Sequence, residues 1–160
     1  MKLLFLAVAV LLSSQPLLAQ KAIIFVRHAE RLDTSTDSVL SAKGEERAAR
    51  LAKQLQDSGI TAIYTTQFQR TIKTAEPIAK AIGVTPVVVP STEQAKLVGR
   101  LKTQHANDVV LIVGHSNSIP ALLKELGVKQ NITIAEEQYD DLFVFNPGTG
   151  SVIRLHLTDH

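Results

Sequence analysis

The stretch Ile23-Ile24-Phe25-Val26-Arg27-His28-Ala29-Glu30 decides how the rest of the chain is read. Four apolar residues, three of them β-branched, run straight into an Arg-His pair. A short continuous apolar run of this kind reads as a buried strand of a parallel sheet. Open α/β sheets bind ligands at the carboxyl ends of their strands, which is where this pair falls. Further along, Val109-Val110-Leu111-Ile112-Val113 runs into Gly114-His115-Ser116 in the same way. Two buried strands therefore each deliver a histidine at the same kind of position.

Helical patterns alternate with these strands. Ser41 stands as an N-cap, and Ala48, Leu51, Ala52 and Leu55 follow at helical spacing, with Glu46 and Arg50 four apart on the outer face and Gly59 as a stop. Thr61 to Tyr64 reads as a second strand. Ile72, Ala75, Ala79 and Ile82 mark a second helix ended by Gly83, with Pro77 expected to kink or break it. Pro86 to Val89 is a third strand. Ser91 and Gln94 have capping-box spacing and predict a helix running to about His105. Ser118-Ile119-Pro120 opens another, striped by Ile119, Leu122, Leu123 and Leu126 and stopped by Gly127. Residues 128–140 show no clear period. Leu142 to Phe145 and Ser151 to Leu157 flank Asn146-Pro147-Gly148-Thr149-Gly150 as a hairpin, the last strand alternating like an edge. The pattern predicts a three-layer α/β/α sandwich, its sheet mostly parallel with an antiparallel edge hairpin.

The 160 residues fit one domain, and 45% hydrophobic with 20% charged residues fits a globular chain. A formal net charge of +2 with no Lys/Arg run and few aromatics argues against nucleic-acid binding. The chain contains no cysteine, which excludes disulfides, Cys-based zinc sites and a thiol nucleophile. Met1-Lys2 followed by the apolar run Leu3 to Leu12, then Ser13-Ser14-Gln15-Pro16 and Leu17-Leu18-Ala19, has the layout of a signal peptide. The apolar run is too short for a membrane-spanning helix. Residues 1–19 are expected to be removed near Ala19. That leaves residues 20–160 as an exported domain, periplasmic or secreted and without a stable membrane anchor; the oligomeric state is left open.

Adjacent parallel strands would set Arg27-His28 and His115 at one end of one sheet. Arg70, in the first turns of the helix after Tyr64, and the amino-terminus opened by Ser118 lie at that same end. Two arginines, two histidines and a helix amino-terminus make an electropositive cleft. Its natural occupant is a phosphoryl group, which guanidinium forks bind bidentately.

On these residues the chain resembles the histidine phosphatase superfamily, the phosphoglycerate-mutase-like enzymes, in their short phosphatase form. Val26-Arg27-His28-Ala29-Glu30 is similar to its Arg-His-Gly signature, Arg70-Thr71-Ile72-Lys73-Thr74-Ala75 to its second-arginine motif, and Val113-Gly114-His115-Ser116-Asn117-Ser118-Ile119-Pro120 to its second-histidine motif. The resemblance implies a phosphoglycerate-mutase-like fold and a phosphomonoester hydrolase. His28 would be the nucleophile and form a phosphohistidine, while Arg27, Arg70 and His115 grip the phosphoryl oxygens. No metal or cofactor is expected, because the clamp neutralises charge that a metal neutralises elsewhere. The substrate would be a small phosphomonoester or a phosphoprotein.

The sequence departs from the family in three places. Ala29 replaces the usual Gly, and Glu30-Arg31-Leu32-Asp33 lacks family phosphate contacts that Ser35, Thr36 or Arg31 would have to replace. The segment between the third and fourth strands is also short, where larger members carry a covering insertion and often the general acid. Glu93, after the third strand, is the expected acid, with Glu30 and the pair Asp140 and Asp141 as alternatives. His105, His156 and His160 read as structural, since nothing polar converges on them. A non-catalytic phosphate- or partner-binding domain on the same fold is the competing class, and a phosphomutase a lesser alternative.

Overall fold

Alternate residues of each central strand enter different cores, which is why these strands show no polar alternation. The computed structural model describes residues 22–105 and 107–157; the expected leader and His160 lie outside them. In chain order the elements are β1 (Ala22–Arg27), α1 (Ala42–Leu55), β2 (Ile60–Thr65), α2 (Gln69–Ile82), β3 (Val87–Val88), α3 (Gln94–Gln104), β4 (Val109–Gly114), α4 (Ser118–Glu125), β5 (Asp141–Asn146) and β6 (Ser151–His156). Ile23 and Phe25 of β1, with Val110 and Ile112 of β4, pack under Leu97, Leu101, Ile119 and Leu122 of α3 and α4. Ile24 and Val26, with Leu111 and Val113, pack under Leu51, Leu55, Ala75 and Ile78 of α1 and α2. The result is an α/β fold of three layers with one six-stranded sheet, ordered β3-β2-β4-β1-β5-β6. The β1–β4, β2–β4 and β2–β3 pairs are parallel, and β1–β5 and β5–β6 antiparallel.

Local signals account for most boundaries. The Ser41 side chain accepts from the Gly44 amide at the start of α1. Gly83 closes α2 in the left-handed conformation, φ 70°, which costs glycine little. Pro77 does not break α2; the helix continues to Ile82 around it. The β5–β6 hairpin forms with Asp141 opposite His156 and Asn146 opposite Ser151.

Two features differ from the sequence reading. Strand β3 is only Val87–Val88, paired to Tyr64 and Thr65. Helix α3 starts at Gln94, not Ser91, and no side chain caps it. The reason is a competing partner. The Ser91 amide donates to Gln67 Oε1 at 2.9 Å and its hydroxyl accepts from Gln67 Nε2 at 3.3 Å. Ser91 thereby crosslinks the loop after β2 and is lost to the helix. On β6, Ile153 and Leu155 are exposed, Val152 packs against the core, and the exposed Arg154 reaches back to buried Asp141. Arg154 lies over the Phe143 ring at 5.3 Å and pairs with Asp141 at 2.6 Å.

Two glycines allow the close approaches that place the cleft. A Cβ on Gly44 would lie 2.3 Å from the Glu30 carbonyl oxygen, so α1 can pack on the loop after β1 only with glycine there. A Cβ on Gly114 would meet Ser118 Oγ at 2.9 Å and Ile119 Cγ1 at 3.1 Å. Since Ser118 Oγ also accepts from the His115 amide at 2.9 Å, crowding at Gly114 displaces the histidine beside it. Gly114→Ala is expected to destabilise the domain by about 1–3 kcal/mol and to weaken phosphate binding, read by urea denaturation and calorimetry. Unchanged stability and binding would show that α4 can yield at no cost.

Candidate active site

The register of one strand pair builds the centre of the cleft. Arg27 stands opposite Gly114 across β1 and β4, and the His28 amide donates to the Gly114 carbonyl at 2.9 Å. The next residue on each strand is a histidine, and the two ring centroids are 5.3 Å apart. Helix α2 leaves β2 at the same end of the sheet and brings Arg70 in its first turn. An open cleft of about 500 Å³ results, lined by Arg27, His28, Arg31, Arg70, His115 and the turn opening α4.

His28 is held in one tautomer. Its Nδ1 lies 2.8 Å from the Ala29 carbonyl oxygen, which can only accept, so Nδ1 carries the hydrogen and Nε2 the lone pair. The Ala29 amide donates to Thr74 Oγ1 at 2.9 Å, and the Thr74 hydroxyl donates to the Arg70 carbonyl at 2.7 Å. The backbone beside His28 is thus tied to the turn that carries Arg70. Substituting Ala for the family's Gly at position 29 leaves this link intact. His115 Nε2 lies 3.0 Å from Thr66 Oγ1, itself 2.9 Å from Thr71 Oγ1, and Phe68 meets the ring edge-on.

Both imidazoles are neutral. Burial lowers the pKa of His28 from 6.5 to about 3 against the opposing Ala29 hydrogen bond, and repulsion from a protonated His115 and from the charges of Arg27 and Arg70 lowers it further. Burial, then Arg70 and Arg27, lowers His115 to about 4.

The two arginines are fixed from outside, with part of each guanidinium left over. Arg27, whose side chain is 1% exposed, donates through Nη1 to the carbonyls of Ala135, Glu136 and Gln138. It also packs 4.3 Å from the Tyr139 ring centroid. Arg70 donates to the Thr36 carbonyl at 2.8 Å and lies 4.3 Å from the Phe68 ring centroid. Among the described residues, the Nε atoms of both arginines are buried without a partner. A buried donor left unpaired costs on the order of 1–3 kcal/mol; an anion in the cleft offers the acceptors.

The candidate acids separate clearly. Ser91 and Gln94 line the cleft, but Glu93 between them does not; it pairs with Lys96 at 2.9 Å. Glu30 is held by Arg47 Nε at 2.9 and 3.0 Å and by Lys43 at 3.4 Å. Burial raises its pKa, but the Arg47 hydrogen bonds, a backbone hydrogen bond and the charges of Arg47 and Lys43 together outweigh that and lower it. Asp141 is buried against Arg154, and Asp140 pairs with His156 at 3.3 Å, neither lining the cleft. Of the expected replacement contacts Arg31 reaches the cleft, whereas Ser35 bonds Asp33 and Thr36 supplies its carbonyl to Arg70.

Sequence reasoning missed Glu136, Tyr139, Phe68 and the three threonines. Thr71 and Thr74 carry a signal in retrospect: they are β-branched polar residues on the face of α2 that buries Ala75 and Ile78. Glu136 and Tyr139 sit in the aperiodic segment and carry none.

Comparison with known proteins agrees with this geometry. Residues 23–93 match the model of the histidine phosphatase superfamily, branch 1. A probable phosphoglycerate mutase of Escherichia fergusonii is 33% identical over 94 residues, which are 54% of this chain and 43% of that protein. Its counterpart from Erwinia tasmaniensis is 33% identical over 82 residues, 47% of this chain and 38% of the other. The chain spans less than half the length of these curated relatives. A solved mycobacterial glucosyl-3-phosphoglycerate phosphatase superposes with a TM-score of 0.64 at 12% identity, covering 84% of this chain and 96% of that one. The protein histidine phosphatase SixA, complexed with tungstate, gives 0.64 at 16% identity, covering 84% and 94%. At such identities the likeness establishes a shared fold.

The buried histidines make stability depend on pH. Unfolded, each takes a proton near 6.5; folded, near 3 and 4. Between those values the unfolded chain binds more protons, so stability falls as pH drops below about 6.5. The urea midpoint should be lower at pH 5 than at pH 7, and His28→Asn should shrink that difference. An identical pH dependence in the variant would contradict a neutral, buried His28.

Proposed function

We propose that this chain, which belongs to the histidine phosphatase superfamily, hydrolyses phosphomonoesters through a phosphohistidine on His28. The observation that carries this reading is a fixed, neutral imidazole beside two buried guanidinium Nε donors that lack partners. His28 Nε2 presents a lone pair without prior deprotonation, as a nucleophile working near neutral pH must. Attack on phosphorus forms the N–P bond as the P–O bond to the leaving group breaks. Charge on the equatorial oxygens meets Arg27, Arg70 and His115, already positioned by packing and so needing little reorganisation. Water then attacks the phosphohistidine and frees inorganic phosphate and His28.

Among the described residues, three arginines line the cleft with a single carboxylate. A divalent cation meets mostly positive charge there, so the guanidiniums take the charge-neutralising role. The open cleft admits a small phosphomonoester or a phosphorylated side chain of a protein. The fold neighbours named above, a sugar-phosphoglycerate phosphatase and a protein histidine phosphatase, span the same two classes.

Rapid quench with a labelled phosphomonoester should trap acid-labile, base-stable phosphate on His28, and His28→Ala should trap none. Arg70→Ala should lower the catalytic rate about 10²–10³-fold, since the clamp acts on transition-state charge. An effect confined to the Michaelis constant would make Arg70 a docking residue. Phosphate binding with no trapped phosphohistidine and no turnover would make the chain a phosphate-binding domain.

A further inference from the structure

Glu136 is the one carboxylate among the described residues that line the cleft. Its backbone is fixed: Arg27 Nη1 donates to the carbonyls of Ala135 and Gln138 as well as to that of Glu136 itself. Gln138 is held in turn, its side-chain amide donating to buried Asp141 at 3.3 Å. The Glu136 side chain is by contrast 64% exposed, with Oε1 3.3 Å from Arg27 Nη2 and 3.6 Å from Arg31 Nη2. A carboxylate on an anchored backbone, with an exposed side chain at the mouth of the phosphoryl site, can swing without leaving the site.

We propose that Glu136 is the proton donor to the leaving group and, in the second step, the base that accepts the proton of the attacking water. The inference rests on the phosphohistidine reading above. The groups that face the carboxylate are Arg27 and Arg31 in contact, with Arg70 and the imidazoles of His28 and His115 lining the same cleft. A phosphoryl dianion bound against His28 draws on the charge of Arg27 and adds two negative charges close by. Both effects loosen the hold of Arg27 on Glu136 and free its carboxylate to turn toward the leaving oxygen.

Atoms and charge then balance. His28 Nε2 bonds to phosphorus, the P–O bond to the leaving group breaks, and the proton of Glu136 moves to the departing oxygen to give a neutral alcohol. The ionised carboxylate next takes a proton from water as the water oxygen attacks phosphorus. The N–P bond breaks, and both Glu136 and His28 return to their starting states.

The other candidate carboxylates do not fit the task. Glu93 faces away on the α3 amino-terminus with Lys96, Glu30 is clamped by Arg47 and Lys43, and Asp141 is sealed against Arg154.

The test compares wild type with Glu136→Gln in single turnover, on an alkyl phosphate and on p-nitrophenyl phosphate. An alkoxide needs a proton to leave and nitrophenolate does not. The ratio of alkyl to aryl phosphorylation rates should fall about 10²-fold or more in Glu136→Gln. The phosphohistidine formed from the aryl ester should also persist longer than in wild type, because its hydrolysis has lost a base. Inorganic phosphate should bind the variant at least as tightly, since a competitor for Arg27 and Arg31 has gone. Equal losses on both esters, or none on either, would overturn the proposal. Failure to trap phosphohistidine in wild type would instead strike the underlying mechanism, so the two failures are distinguishable.

Discussion

The parallel pairing of β1 with β4 is the contact on which the cleft depends. Neither strand carries a polar residue until its carboxyl end, so burial on both faces fixes their direction and position. Pairing Arg27 with Gly114 then places the following residues, His28 and His115, side by side. A slip of one residue would turn Phe25 and Ile112 out of one core and into the other, at the cost of several kcal/mol of apolar burial. The geometry of the cleft is thus secured by hydrophobic register, with the hydrogen bonds of the site acting as fine adjustment.

That burial sets the electrostatics. An imidazole taken out of water beside two guanidiniums cannot keep a proton, so His28 and His115 stay neutral at a pH where free histidine begins to charge. The guanidiniums are in turn neutralised only at their outer edges. Arg27 is satisfied by the carbonyls of the 135–138 loop and Arg70 by Thr36, while each keeps a buried Nε–H unused. The cleft therefore stores unmet hydrogen-bonding capacity that a phosphoryl group can meet. The folded protein gives up stability at low pH to hold this arrangement, as sites built for chemistry commonly do.

The central strands β1 and β4 and their burial were legible in the sequence, because short apolar runs rich in β-branched residues and bounded by turn residues fit buried strands. Arg27, His28, Arg70 and His115 were legible too, since each ends a strand, follows one or opens the next helix at the carboxyl end of the sheet. Ser91 misled because a capping box is a local signal, and Gln67, 24 residues away, took it from the helix. Glu93 was carried along with that error: with α3 starting at Gln94 and Glu93 in the cap position, its side chain lies beside Lys96 and out of the cleft. Glu136 was invisible for a different reason. Its place is set by three carbonyls converging on Arg27, and backbone carbonyls leave no mark on a sequence.

Nitrogen-15 NMR of the histidine rings, recorded without phosphate while pH is lowered from 7 toward 5, tests the central claim most directly. The account predicts a His28 ring protonated at Nδ1 and bare at Nε2 throughout, its shifts flat across the range in which an ordinary histidine titrates near 6.5. A His28 ring that takes up a second proton near 6.5 would contradict the account, because a charged imidazole has no lone pair to attack phosphorus.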